Sequence, residues 1–233
     1  MPVAVCYSTL SMSDTRSHQT KDAQDARLGD SPVWKQKRRL AAALRDVIEL
    51  LMNTEAPEDE LRAATDRVER VAERLRTLPR HRAPRLHPRN PALNTPSAFF
   101  DLSPLVGLAN PVAPPVTLWT DGDVVRGRVV FGTAYQGPPG AVHGGVVAAL
   151  FDEVLGFAEW MTGNPGMTGT LKVRYRKPTP LRTELRVEAT VERVDGRKIF
   201  TAARLYDGDT VTADAEGVFI SLTGAALRKF TSG

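Results

Sequence analysis

The chain has 233 residues, 42% of them hydrophobic and 25% charged, with a formal net charge of +4. These are the proportions of an ordinary globular protein, and the length suits one domain plus an appendage. No run of 18 apolar residues offers a membrane span, Met1–Leu10 carries no basic leader, and the single cysteine, Cys6, excludes an internal disulfide and a cysteine-rich metal site, so a cytoplasmic location is expected. The basic balance suits an anionic small molecule. Arginines spread along the chain and an aromatic content of only 6% argue against a nucleic-acid surface.

Residues 1–30 are polar and without periodicity, the pattern of a disordered tail. Residues 31–79 read as a helical hairpin. Leu40, Leu44, Val47 and Leu51 form one apolar stripe; Asn53 to Pro57 breaks it; Leu61, Val68, Val71, Leu75 and Leu78 form a second stripe, closed by Pro79. Two readings stay open for this hairpin: packing against the main domain or a symmetry mate, and a lid or partner-binding arm. Residues 80–115, rich in Pro, Arg and Asn, read as a linker that packs on the core through Phe99, Phe100, Leu102, Leu105 and Val106, with His81 and His87 as loop residues rather than metal ligands.

A strand-rich domain then covers 116–224, followed by a short tail, 225–233. Val116–Trp119 and Val124–Phe131 are joined by Asp121-Gly122, a hairpin signal. Gly137-Pro138-Pro139-Gly140 makes a turn, and a helix is expected from His143–Gly145 to about Trp160. Val146, Val147, Leu150, Phe151, Val154, Leu155 and Phe157 leave that helix almost no polar face, so it is expected to be buried on most sides. Beyond it, Met167, Leu171, Val173 and Tyr175 alternate with Thr168, Thr170, Lys172, Arg174 and Arg176. Leu185, Val187, Ala189 and Val191 alternate again, as do Ile199, Thr201, Ala203 and Leu205 after a turn at Asp195-Gly196, and Asp207-Gly208 makes another turn before Val211 to Leu222. The expected class is α+β: an antiparallel sheet wrapped around one long central helix.

Two features of the helix point to chemistry. Gly144–Gly145 at its start present free backbone N–H groups at the positive end of the dipole, able to hold a negative oxygen. Asp152, with Glu153 beside it, is an acid within an apolar run and needs either a partner or a reaction. Eight residues separate Gly144 from Asp152, roughly 12 Å of helix, so one small reacting group cannot touch both on one chain. If both serve one reaction, a second copy supplies one of them, and a two-fold dimer follows. No paired-histidine zinc spacing, P-loop or dinucleotide glycine fingerprint is found.

Gly137 to Gly140, His143-Gly144-Gly145, Asp152, Met167-Thr168 and Gly196-Arg197-Lys198 together resemble the hotdog-fold acyl-CoA thioesterases. The chain is most similar in type to the phenylacetyl-CoA thioesterase-like and 4-hydroxybenzoyl-CoA thioesterase-like groups, the former including a mammalian long-chain acyl-CoA thioesterase. The resemblance spans about residues 97–222. It implies a hotdog fold, an acyl-CoA substrate, a place in lipid metabolism, no cofactor, and a homodimer or homotetramer with sites between protomers. It further implies Asp152 as general base or nucleophile, Gly144 or Gly145 as the donor that polarises the thioester carbonyl, Thr168 as the holder of the attacking water, and Arg174, Arg186, Arg197 and Lys198 as CoA contacts. Relatives often carry Asn at the position of Arg174. His143 is read as a turn-setting residue, with substrate contact as the other possibility. The competing function is a non-catalytic acyl-CoA-binding or regulatory module; a hydratase on this fold would want an Asp/His pair in one loop, and none is present.

Overall fold

Six antiparallel strands form one sheet around a single long helix in this computed structural model, which describes residues 31–79, 101–164, 166–222 and 224. The expected tails, most of the linker, and His81, His87, Phe99 and Phe100 lie outside the described residues.

Two helices come first, α1 (Pro32–Leu51) and α2 (Glu58–Arg76). Ser31 caps α1 by accepting the Trp34 N–H at 3.2 Å, with Pro32 in the first turn, where its missing donor is not needed. α1 is fastened to the domain along its length. The Trp34 indole and the Arg38 guanidinium both donate to Asp101, and Arg45 reaches the Asn110 carbonyl at 2.8 Å. Beyond its C-terminus, Asn53 meets Arg182 at 2.9 Å. α2 buries none of its residues.

The strands are β1 (Thr117–Asp121), β2 (Val124–Val130), β3 (Gly166–Tyr175), β4 (Glu184–Asp195), β5 (Lys198–Asp207) and β6 (Thr210–Ser221), in sheet order β1-β2-β4-β5-β6-β3. The three Asp-Gly pairs fall at tight turns, and Gly122, Gly196 and Gly208 take positive φ between 54° and 59°, backbone that only glycine adopts freely. Alternation then sends Leu185, Val187, Ala189, Ile199, Ala203, Leu205, Ala213, Ala215 and Phe219 to one face of the sheet.

The central helix, α3 (Gly144–Trp160), lies on that face and buries Val147, Leu150, Phe151, Val154, Leu155 and Phe157 against it. Among the described linker residues Val106 and Ala113 are buried, whereas Leu102 stays 38% exposed.

One expectation about β3 is overturned. Simple alternation places Thr168 on the face opposite Leu171 and Val173. In the structure the pairing with β6 slips between Thr168 and Thr170, so Gly169 is an extra, bulged residue. Thr168 is therefore opposite Phe219, Leu171 opposite Gly217 and Val173 opposite Ala215, all on the face turned to α3. A bulge inserts one residue and reverses the facing of everything before it.

Candidate active site

The bulge aims Thr168 at the central helix. Its hydroxyl donates to Asp152 Oδ1 at 2.8 Å, so two residues sixteen apart in sequence meet across the helix–sheet boundary. Among the described residues no hydrogen bond engages the other oxygen, Oδ2. Within the single chain Asp152 is exposed. Gly145, Ala149, Asp152, Gly156 and Trp160 follow one another along α3 at helical spacing, and none of these is buried within one chain.

The helix start has a division of labour between its two glycines. His143 is the cap residue, and its Nδ1 accepts the Gly145 N–H at 3.0 Å. Nδ1 is thus the acceptor in this bond, which leaves Nε2 as the ring's donor. The Gly144 N–H has no acceptor among the described residues, while its carbonyl receives the Tyr175 hydroxyl at 2.8 Å. Of the two predicted donors, Gly144 is free to meet an incoming oxygen and Gly145 is occupied. Tyr175 is a site neighbour that the sequence alone did not mark; its place at the far end of the strand that carries Thr168 was the available signal.

The four basic residues separate into two groups. Arg174 alternates with Val173 and Arg186 with Leu185, so both stand on the outer face of the sheet, and both have carboxylate partners: Arg174 with Glu216 at 2.8 Å and Asp214 at 3.3 Å, Arg186 with Glu188 at 2.7 Å. Arg186 also lies over the Tyr206 ring at 4.2 Å. Arg197 and Lys198 sit at the β4–β5 turn. Arg197 Nε donates to the Ser221 carbonyl at 3.1 Å, and neither has a carboxylate partner among the described residues. Lys198 is opposite Ile220, which is opposite Met167, so this turn lies two strands, or roughly 10 Å, from the strand end that carries Thr168.

The acids of α3 behave differently from one another. Glu153 accepts the Ser103 hydroxyl at 2.7 Å; burial pushes its carboxyl up, the Ser103 bond opposes this, and the Asp152 charge adds to it. Glu159 follows Asp152 by seven residues, on the same side of the helix and about 10 Å further along. It is only 3% exposed, and its Oε1 has no hydrogen-bond partner among the described residues. Burial pushes its carboxyl up from 4.5 to about 7, against the opposing Gly166 N–H. An acid in an apolar helix two turns past Asp152 was the signal for it. Because the folded state holds this proton and the unfolded chain releases it near 4.5, the contribution of Glu159 to stability is full below pH 4.5 and is lost as pH rises to about 7. Glu159→Gln is expected to remove that fall, stabilising the protein at pH 8 by on the order of 1–3 kcal/mol relative to the parent, read from urea melts at pH 4.5, 6 and 8. Equal pH slopes in the two proteins would show that Glu159 is ionised in the fold.

Among the described residues no cluster of metal-ligating side chains is found, and no helix is long and apolar enough to cross a membrane. Comparison with known proteins meets the same segment. The profile described as the thioesterase superfamily matches residues 139–213, from the turn before α3 into β6. The acyl-coenzyme A thioesterase THEM4 of Xenopus laevis is 33% identical over 93 residues, 39% of this chain and 42% of that protein. THEM4 of Bos taurus is 34% identical over 93 residues, 39% of this chain and 38% of that protein. The match thus spans about two fifths of the length of these curated relatives. A crystal structure described as that of a thioesterase superfamily protein aligns with a TM-score of 0.70 at 34% identity, over 79% of this chain and 90% of the other.

Proposed function

This chain belongs to the thioesterase superfamily, and on that premise we propose that it hydrolyses acyl-CoA thioesters to a free acid and CoA. The observation that carries the reading is the hydrogen bond from Thr168 to Asp152, made across a bulge whose effect is to aim that hydroxyl at that carboxylate. The similarity to the THEM4 proteins supports the substrate class.

In this reading Asp152 is the general base. Thr168 holds Oδ1, and Oδ2 takes a proton from a water as its oxygen attacks the thioester carbonyl carbon. The carbonyl oxygen gains negative charge, which the Gly144 N–H opposes at the positive end of α3. Collapse of the tetrahedral adduct breaks the C–S bond, and the proton held by Asp152 passes to the CoA sulfur. Gly145 acts indirectly, by locking the His143 ring that shapes the turn.

Two points on one helix so far apart need a second subunit, and the structure supports a homodimer in two ways. The strip of Gly145, Ala149 and Gly156 beside Asp152 lets another helix approach closely, and β3 is an edge strand of 10 residues with its outer side unpaired. CoA phosphates are assigned first to Arg197 and Lys198; Arg174 and Arg186 join them only by exchanging their present carboxylate partners. A cytoplasmic role in lipid metabolism accompanies this activity.

The test is a thiol-release screen over short, long and aromatic acyl-CoAs. Turnover with at least one class is expected. Binding of acyl-CoA by calorimetry with no thiol released from any of them would replace this reading with a non-catalytic acyl-CoA-binding module.

A further inference from the structure

The second helix carries a feature that the hydrolytic site does not use. Leu61, Ala64, Val68, Val71 and Leu75 follow one another along the helix at alternating steps of three and four, and Leu78 continues the spacing just past its last residue, Arg76, a seven-residue repeat rather than the broader stripe of a helix laid on a core. The large members of this seam are open: Leu61 is 39% exposed, Val68 47%, Val71 48% and Leu75 47%. The same chain held α1 down with Asp101 and Asn110, and no such contacts fasten α2 among the described residues.

We propose that the α2 seam docks antiparallel against the α2 seam of a second copy of this chain, joining two dimers into a four-subunit particle. Three properties select a second copy as the occupant. The seam is self-complementary about a two-fold axis between Val68 and Val71. Ala64 of one copy then meets Leu75 of the other and Val68 meets Val71, so a large side chain opposes a small one at each end and the two valines meet at the centre. The charges agree with that direction. Glu58, Asp59 and Glu60 fill the first turn and Arg74 and Arg76 the last, so antiparallel packing lays the acidic end of each helix along the basic end of the other. Parallel packing would set acid against acid and arginine against arginine. Finally, α1 is anchored beside Gly132, after β2, and Arg182, before β4, on the opposite side of the sheet from the open β3 edge. α2 departs from that anchored end, so its contact is proposed as a second one, distinct from the dimer contact above, and goes beyond the hydrolytic reading.

The experiment uses the full chain and measures particle mass by light scattering at micromolar concentration. The double variant Val68→Asp/Val71→Asp is expected to halve the mass, with per-subunit thiol release and the circular dichroism of the domain unchanged. A second pair of variants tests the pairing itself. Glu58, Asp59 and Glu60→Lys in one chain, and Arg74 and Arg76→Glu in the other, should each halve the mass alone and regain the full mass when mixed. An unchanged mass in the Val68/Val71 variant overturns the proposal, as does a halved mass in that variant with no recovery on mixing the charge variants. A lowered melting temperature at unchanged mass would instead mean that α2 closes on its own chain. Because the readout is mass, failure of the hydrolytic reading leaves this test intact.

Discussion

Replacing Asp152 with asparagine is expected to lower kcat by about 10²–10⁴-fold, the usual contribution of a positioned general base, with little change in KM. Asparagine keeps the size of the side chain and a carbonyl oxygen that can still accept the Thr168 hydroxyl, so the contact at 2.8 Å is retained. What is lost is the basic oxygen that, in the proposed mechanism, takes the proton from water. Asp152 is exposed within its protomer, so the substitution empties no core position and leaves no buried donor orphaned. The thermal unfolding midpoint should therefore stay within a degree or two of the parent. Thiol release within threefold of the parent enzyme would remove Asp152 from the chemistry and, with it, the assignment of the base.

The neighbouring residue should give the opposite result. Phe151 is fully buried, in the cluster formed by α3 and the inner face of the sheet. Phe151→Ala removes most of a ring from a closed interior, and truncations of this kind destabilise by about 3–5 kcal/mol. For a chain of this size that corresponds to a fall in Tm on the order of 10 °C, measurable by calorimetry or circular dichroism. Below the new transition the thiol-release rate per folded molecule should remain near that of the parent, since Phe151 is buried in the core and Asp152 is exposed. Adjacent positions on one helix thus separate stability from turnover. A Tm shift under about 3 °C would mean that the site repacks around the missing ring.

These two residues also show how far the letters reach. Local chemistry determined the elements. Pro-Pro between glycines stops the chain before α3, an apolar run of helical length makes that helix, and three Asp-Gly pairs turn the strands where they were expected to turn. Such signals act over a few residues, so each can be read where it stands, and the meeting of His143, Gly144, Gly145 and Asp152 on one helix was legible for the same reason. The facing of Thr168 was not. Its direction depends on where β3 slips against β6, and that register is settled by packing some fifty residues further along the chain, where Phe219 and Gly217 must lie under α3.

Burial was illegible in the same way. Asp152 and Glu159 look alike in the sequence, both acids in one apolar helix, yet one is exposed and the other is 3% exposed with an oxygen unpaired among the described residues. Which acid is covered is decided by the strand that crosses over it, Gly166 beside Glu159 and Thr168 beside Asp152. The seven-residue repeat of α2 was likewise present in the letters, but only the folded chain shows that its apolar seam stays open. Periodicity and turn propensity are properties of neighbours along the chain and determine which segments become helix or strand. Register, facing and burial are properties of neighbours in space, and for this protein they decide which carboxylate is free to act.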